Sequence, residues 1–199
     1  MLWWYAARAG GIVSWTLVTA SVTWGLALST KVFGKRPRPA WLLDLHRYLG
    51  GLALVFTGVH VLSIIADSYV HFGLAEVLVP FASAWRPAAV AWGIVAFYLL
   101  VAVELTSLGR KWLPNALWRK VHYASFPLFA FATVHGVIAG TDAAGPALFV
   151  ALFGALVPIV GLIAVRLDQP QVVPGHSQLA HRFTVNDGAV ARPRVPQPQ

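Results

Sequence analysis

Five apolar segments, each near the roughly 20 residues a helix needs to cross about 30 Å of hydrocarbon, occupy most of this chain. They cover about residues 9–30, 41–66, 88–108, 118–139 and 146–165, and what remains is too short for a soluble domain. Period-2 alternation is missing from all five, so they read as helices rather than as strands of a barrel. Only 11% of the 199 residues are charged, against about a quarter in soluble domains. Charges keep a folded surface in water, and a lipid-facing surface must avoid them. The expected fold is therefore an all-α integral membrane protein, a five-transmembrane-helix bundle in contact with membrane lipid.

Charge between the segments orients the bundle. Lys31, Lys35, Arg36 and Arg38 follow the first segment, and Arg110, Lys111, Arg119 and Lys120 follow the third; both loops are expected in the cytoplasm. The stretch 67–87 holds one Arg against two acids, and the last turn holds only Asp142, so both belong outside. This puts the N-terminus outside and the C-terminus in the cytoplasm of a multi-pass plasma-membrane protein. Residues 1–5 carry no basic n-region, so the N-terminus is expected to be retained. The formal net charge of +8 lies in short clusters between apolar runs, not on one periodic face, so no nucleic-acid partner is expected. Residues 166–199, rich in Pro, Gln and Val, read as a cytoplasmic tail, disordered or lying on the membrane surface.

The chain has no cysteine, which excludes disulfides, iron–sulfur clusters, thiolate-ligated and covalently attached haem, and Cys nucleophiles. Its single Met is Met1, so metal chemistry within the membrane rests on the seven histidines. Four fall inside predicted spans, two per span: His46 and His60 in the second, His122 and His135 in the fourth. Ionisable groups in a bilayer are costly and invite a functional explanation. Spacings of 14 and 13 residues each correspond to roughly 20 Å along a helix. Both spans run outward, so His46 and His122 are level on the inner side and His60 and His135 on the outer side. Two histidines from facing helices at one depth are placed to clamp a haem iron axially.

Fourteen residues bring His46 and His60 within about 40° of one face, whereas 13 leave His135 about 140° from His122 on a straight helix. Pro127 lies between the latter pair, where a kink or a tightened turn would alter the register. Gly50, Ala53 and Thr57 share the His46 face, where small side chains suit either a flat macrocycle or close helix packing. Phe129, on the His122 face between the two levels, is expected mainly as core packing, and Ser14, Thr16, Thr19, Ser21 and Thr23 suit packing of the first helix. Arg47, Arg119 and Lys120 flank the inner histidines, where haem propionates would seek cations. His71, Trp85 and Arg86 are outer-side candidates for propionate contact or acceptor docking. Glu104 is expected to snorkel to the interface or pair with a nearby Arg, and His176 and His181 to be exposed to solvent.

The 14- and 13-residue spacings, with the Trp118–His122 sequence WRKVH, resemble the ferric reductase-like transmembrane domain family, which includes NADPH oxidases, eukaryotic ferric reductases, STEAP-type metalloreductases and the MsrQ/YedZ haem subunits. The resemblance covers about residues 9–165 and makes 1–165 the expected haem domain. It implies two haem b groups, the inner on His46 and His122 and the outer on His60 and His135, with electrons passing outward. Six spans and fused FAD and NAD(P)H domains occur in other members; here five spans and no flavin site are visible. The expected donor is accordingly a separate flavoprotein or quinol, and the acceptor ferric iron, dioxygen or an outer-side partner reductase. The alternatives are a non-catalytic membrane anchor or assembly subunit of a redox complex, and a proton or metal transporter. The absence of an acid at mid-membrane weakens the transporter.

Overall fold

A computed structural model describes residues 1–30, 32, 34, 40–68, 70, 72–140 and 145–168. Lys31, Lys35, Arg36, Arg38, His71, Asp142, His176, His181 and almost all of the tail lie outside the described residues. Met1–Arg166 forms one compact unit; of a second, Leu167–Gln199, only the first two residues are described.

The described residues are helical and contain no strand: α1 Leu2–Ser29, α2 Ala40–Ala66, the short α3 Leu74–Leu78, α4 Pro87–Leu108, α5 Asn115–His122, α6 Ser125–Ala139 and α7 Pro146–Asp168. A turn of 3-10 helix, Arg110–Trp112, joins α4 to α5. Five stretches are long and apolar enough to cross a membrane: α1, α2, α4, α7, and α5 with α6 as one span over Asn115–Ala139. Contacts run from α1 to α2, α2 to α4, α4 to α6 and α6 back to α1, closing a four-membered ring of helices. Ala155 and Ile159 of α7 join its central cluster.

Side-chain hydrogen bonds tie the ring together where lipid offers no alternative partner. Ser14 Oγ donates to the Ala53 carbonyl at 3.1 Å and lies 2.6 Å from Thr57 Oγ1, linking α1 to α2. Trp15 Nε1 donates to Thr133 Oγ1 on α6 at 2.9 Å. Ala53 and Thr57 thus face α1, as close helix packing requires. A Cβ at Gly10 would lie only 3.1 Å from the backbone nitrogen of His60, so α1 and α2 are nearly in backbone contact there. At mid-bundle, Val18, Val22, Ala53, Ala96, Leu100, Leu128 and Phe129 form an apolar plug. Ala53 lies seven residues from both His46 and His60, and Phe129 is a buried member of this core.

The fourth span departs from a continuous helix. It breaks at Tyr123–Ala124, and its turns there close with i-to-i+3 bonds, Ala124 to Val121 and Phe126 to Tyr123. Pro127 explains the position: without an N–H it suits the first turn of a new helix, where that donor would be orphaned anyway. Winding at about 120° per residue instead of 100° over the five steps from residue 121 to 126 adds about 100° of rotation. That is most of the 140° separating His122 and His135 on a straight helix.

Candidate functional site

The structure brings His46 to His122 and His60 to His135. Ring centroids are 6.0 Å apart in the first pair and 6.2 Å in the second, with the rings inclined at 76° and 79°. Edge-to-face aromatic pairs have such separations too. The feature that distinguishes these pairs is the way the rings are held.

Three of the four rings are anchored alike. His60 Nδ1 lies 2.6 Å from the Ala7 carbonyl, His46 Nδ1 3.1 Å from the Ser21 carbonyl, and His135 Nδ1 2.8 Å from the Ala89 carbonyl. A carbonyl only accepts, so each Nδ1 carries the proton and donates it, leaving the Nε2 lone pair free. Each ring also lies over a glycine four residues beyond its acceptor. A Cβ at Gly11 would sit 3.0 Å from His60 Nδ1, one at Gly25 3.1 Å from His46 Cε1, and one at Gly93 2.7 Å from His135 Nδ1. In a helix the carbonyl of residue i is covered by the turn ending at i+4. Removing the Cβ at i+4 opens a lateral approach to that carbonyl for the imidazole. Gly11 and Gly25 are 14 residues apart on α1, matching His60 and His46 on the antiparallel α2.

His122 is held differently. Its ring stacks on Trp118 at 4.9 Å and 23°, and the Arg110 guanidinium covers Trp118 at 4.2 Å from the ring centroid. Its Nδ1 is buried without a hydrogen-bond partner among the described residues, as are Trp118 Nε1 and Ser107 Oγ. Of the flanking cations, Arg47 is exposed and pairs with Asp44 at 3.4 Å, while Arg119 and Lys120 are exposed. At the other level, Arg86 donates to the Ile138 carbonyl at 2.6 Å and covers Trp85, which packs against Phe72.

These contacts test the arrangement against a metal. Among the described residues no three His, Cys, Asp or Glu converge, so the protein offers no closed multi-ligand site for a bare ion. Two imidazoles paired at one level would suit a haem, whose iron takes its remaining protein ligands from such side chains. Imidazole–metal bonds of about 2.0 Å, with about 1.2 Å from each nitrogen to its ring centroid, would put two rings sharing one metal at most about 6.4 Å apart. The observed 6.0 and 6.2 Å fit. A carbonyl accepting the second ring N–H is the usual support of a metal-bound histidine.

Fold and site together define a multi-pass helical membrane protein with two levels of paired histidines inside its bundle. A family model described as ferric reductase like transmembrane component matches residues 10–138. The chain belongs to that family of transmembrane electron-transfer components, whose domains are in general haem-binding. Comparison with curated proteins and with solved structures gives no match.

The small-xxx-Gly pairs Ala7/Gly11, Ser21/Gly25 and Ala89/Gly93 seat the rings and are not among the sequence-based expectations. The 14-residue interval between Gly11 and Gly25 on α1 is a signal for two of these pairs; Ala89/Gly93, alone on α4, has no such repeat.

Proposed function

We propose that this chain is a transmembrane b-type cytochrome that passes electrons between two stacked bis-histidine haems. His46 and His122 bind one iron, and His60 and His135 the other. The reading is carried by the two imidazole pairs, each spaced for a single intervening metal, with three of the four rings fixed as the metal-binding tautomer by a backbone carbonyl. A bound haem supplies one-electron chemistry at its iron; this chain's residues ligate it, exclude water and hold it at two depths. Trp118 Nε1 and Ser107 Oγ are buried donors suited to propionate oxygens at the His46–His122 level, with Arg47, Arg119 and Lys120 as neighbouring cations.

The cluster of Arg110, Lys111, Arg119 and Lys120 favours the cytoplasm for the His46–His122 level, by the positive-inside rule. Electrons then enter there from a separate flavoprotein or quinol and leave at the His60–His135 level, to ferric iron, dioxygen or a partner reductase. Residues 1–165 are the haem domain of a plasma-membrane protein, and 166–199 its cytoplasmic tail. Purified protein should give a reduced-minus-oxidised b-type spectrum with two haems per chain. Substituting His60→Ala or His135→Ala should remove one haem and leave the other. A haem-free preparation after expression with ample haem overturns the proposal.

A further inference from the structure

Glu104 is a half-buried carboxylate in a membrane-spanning helix that the electron path above does not use. It stands eleven residues after Gly93 on α4, three helical turns to within about 20°, and so shares the face that meets His135. Its carboxylate lies directly over Gly50 of α2. The carboxyl carbon is 3.0 Å and Oε2 3.3 Å from where a Gly50 Cβ would stand, and Oε1 is closer still. Gly50 is buried, one turn from His46 and on its face. The carboxylate therefore reaches inside the bundle one turn from the His46–His122 level. It neither snorkels outward nor joins an ion pair among the described residues.

The titratable and charged groups on the elements packed against α4 are engaged elsewhere or exposed. On α2, His46 bonds the Ser21 carbonyl and His60 the Ala7 carbonyl, Arg47 pairs with Asp44, and Tyr48 is exposed. Arg110 and Lys111 cover Trp118 and Trp112. On α5, His122 stacks on Trp118, and Arg119 and Lys120 are exposed. On α6, His135 bonds Ala89, and on α3 Glu76 accepts from the backbone of Gly73. A half-buried carboxylate with no counter-charge among the described residues holds its charge at a free-energy cost, and a second negative charge nearby raises that cost.

Building on the function proposed above, we propose that Glu104 is the redox-linked proton acceptor of the His46–His122 level. When one electron from the flavoprotein or quinol donor reaches that level, one proton binds a Glu104 carboxylate oxygen. The electron adds one negative charge and the proton cancels it. On oxidation the electron leaves for the other haem, and the O–H bond breaks and returns the proton to water. Gly50 is what admits the carboxylate to this position.

The test is spectroelectrochemical titration of the two-haem protein in lipid nanodiscs at a series of pH values. At fixed potential, the ferrous-to-ferric ratio of one haem should fall with pH, by two- to tenfold per unit. Tenfold is the limit of one proton per electron, equivalent to about 59 mV. Glu104→Gln should abolish that dependence and leave the second haem unchanged. Reduced-minus-oxidised infrared spectra of the wild type should show a carboxylic C=O band on reduction, absent from the variant. Gly50→Ala, whose Cβ displaces the carboxylate while leaving the acid in place, should shift the pH response with both haems retained. A wild type without the infrared band, or a Glu104→Gln protein with unaltered pH dependence, overturns the inference and leaves the two-haem reading standing. Haem-free wild type would overturn that reading instead.

Discussion

Gly93→Ala isolates the way a histidine proposed as a haem ligand is held. A Cβ there would lie 2.7 Å from His135 Nδ1 and 2.8 Å from Cε1, against the 3.4 Å at which ordinary contact begins. The ring must retreat by about 0.7 Å, which lengthens its 2.8 Å bond to the Ala89 carbonyl to about 3.5 Å, past useful hydrogen-bond geometry. Loss of such a support lowers metal-ligand affinity by about 10- to 100-fold, or about 1.4–2.8 kcal/mol. Overpacking costs about 1–3 kcal/mol, while replacing Gly by Ala within a helix returns about 0.8–1 kcal/mol, so the fold should survive while one site weakens. Gly136→Ala is the control, because it adjoins His135 in sequence but its Cβ would point into open space. Haem-to-protein ratio by pyridine haemochromogen, with thermal unfolding of the same samples, separates site from fold. Gly93→Ala should approach one haem per chain and Gly136→Ala should keep two. Equal, full occupancy in both variants would refute the argument that these glycines seat the histidines.

Two further outcomes follow from the same contacts. His122 is the proposed ligand without a carbonyl behind its Nδ1, so the haem it would share with His46 should dissociate about 10- to 100-fold more readily than the other; competition with apomyoglobin, followed in the Soret band, measures this for each haem. Ser14→Ala removes the hydroxyl that bonds the Ala53 carbonyl and contacts Thr57 and should destabilise the bundle by about 0.6–1.7 kcal/mol, read from unfolding in mixed micelles.

Much of this arrangement was legible in the residue pattern. The lengths of the apolar segments located all five spans, and the 14-residue interval put His46 and His60 on one face because it is close to four helical turns. Other parts were hidden for identifiable reasons. Pro127 marked the break in the fourth span, but only the i-to-i+3 bonds around Tyr123 show that the chain is overwound and in which sense. The glycines beneath the rings resemble ordinary small-residue packing positions, and nothing local tells which neighbour a missing Cβ admits. Glu104 was misread as snorkelling or ion-paired because α4 is apolar all round, which leaves its faces without phase. Only contact with Gly50 shows that the acid points inward.

Under the proposed function, the apolar plug around Ala53 and Phe129 also makes electron transfer through the bundle sensitive to voltage. It separates histidine levels that lie 14 residues apart on α2, about 21 Å along the axis, or about two-thirds of the hydrocarbon thickness. Charge crossing the whole membrane exchanges about 2.3 kcal/mol with each 100 mV of potential, so under the proposed function an electron traversing the plug exchanges about 1.6 kcal/mol. Transfer between the two levels is then electrogenic: a cell interior held negative drives electrons outward, and a collapsed potential slows them with no change in either partner.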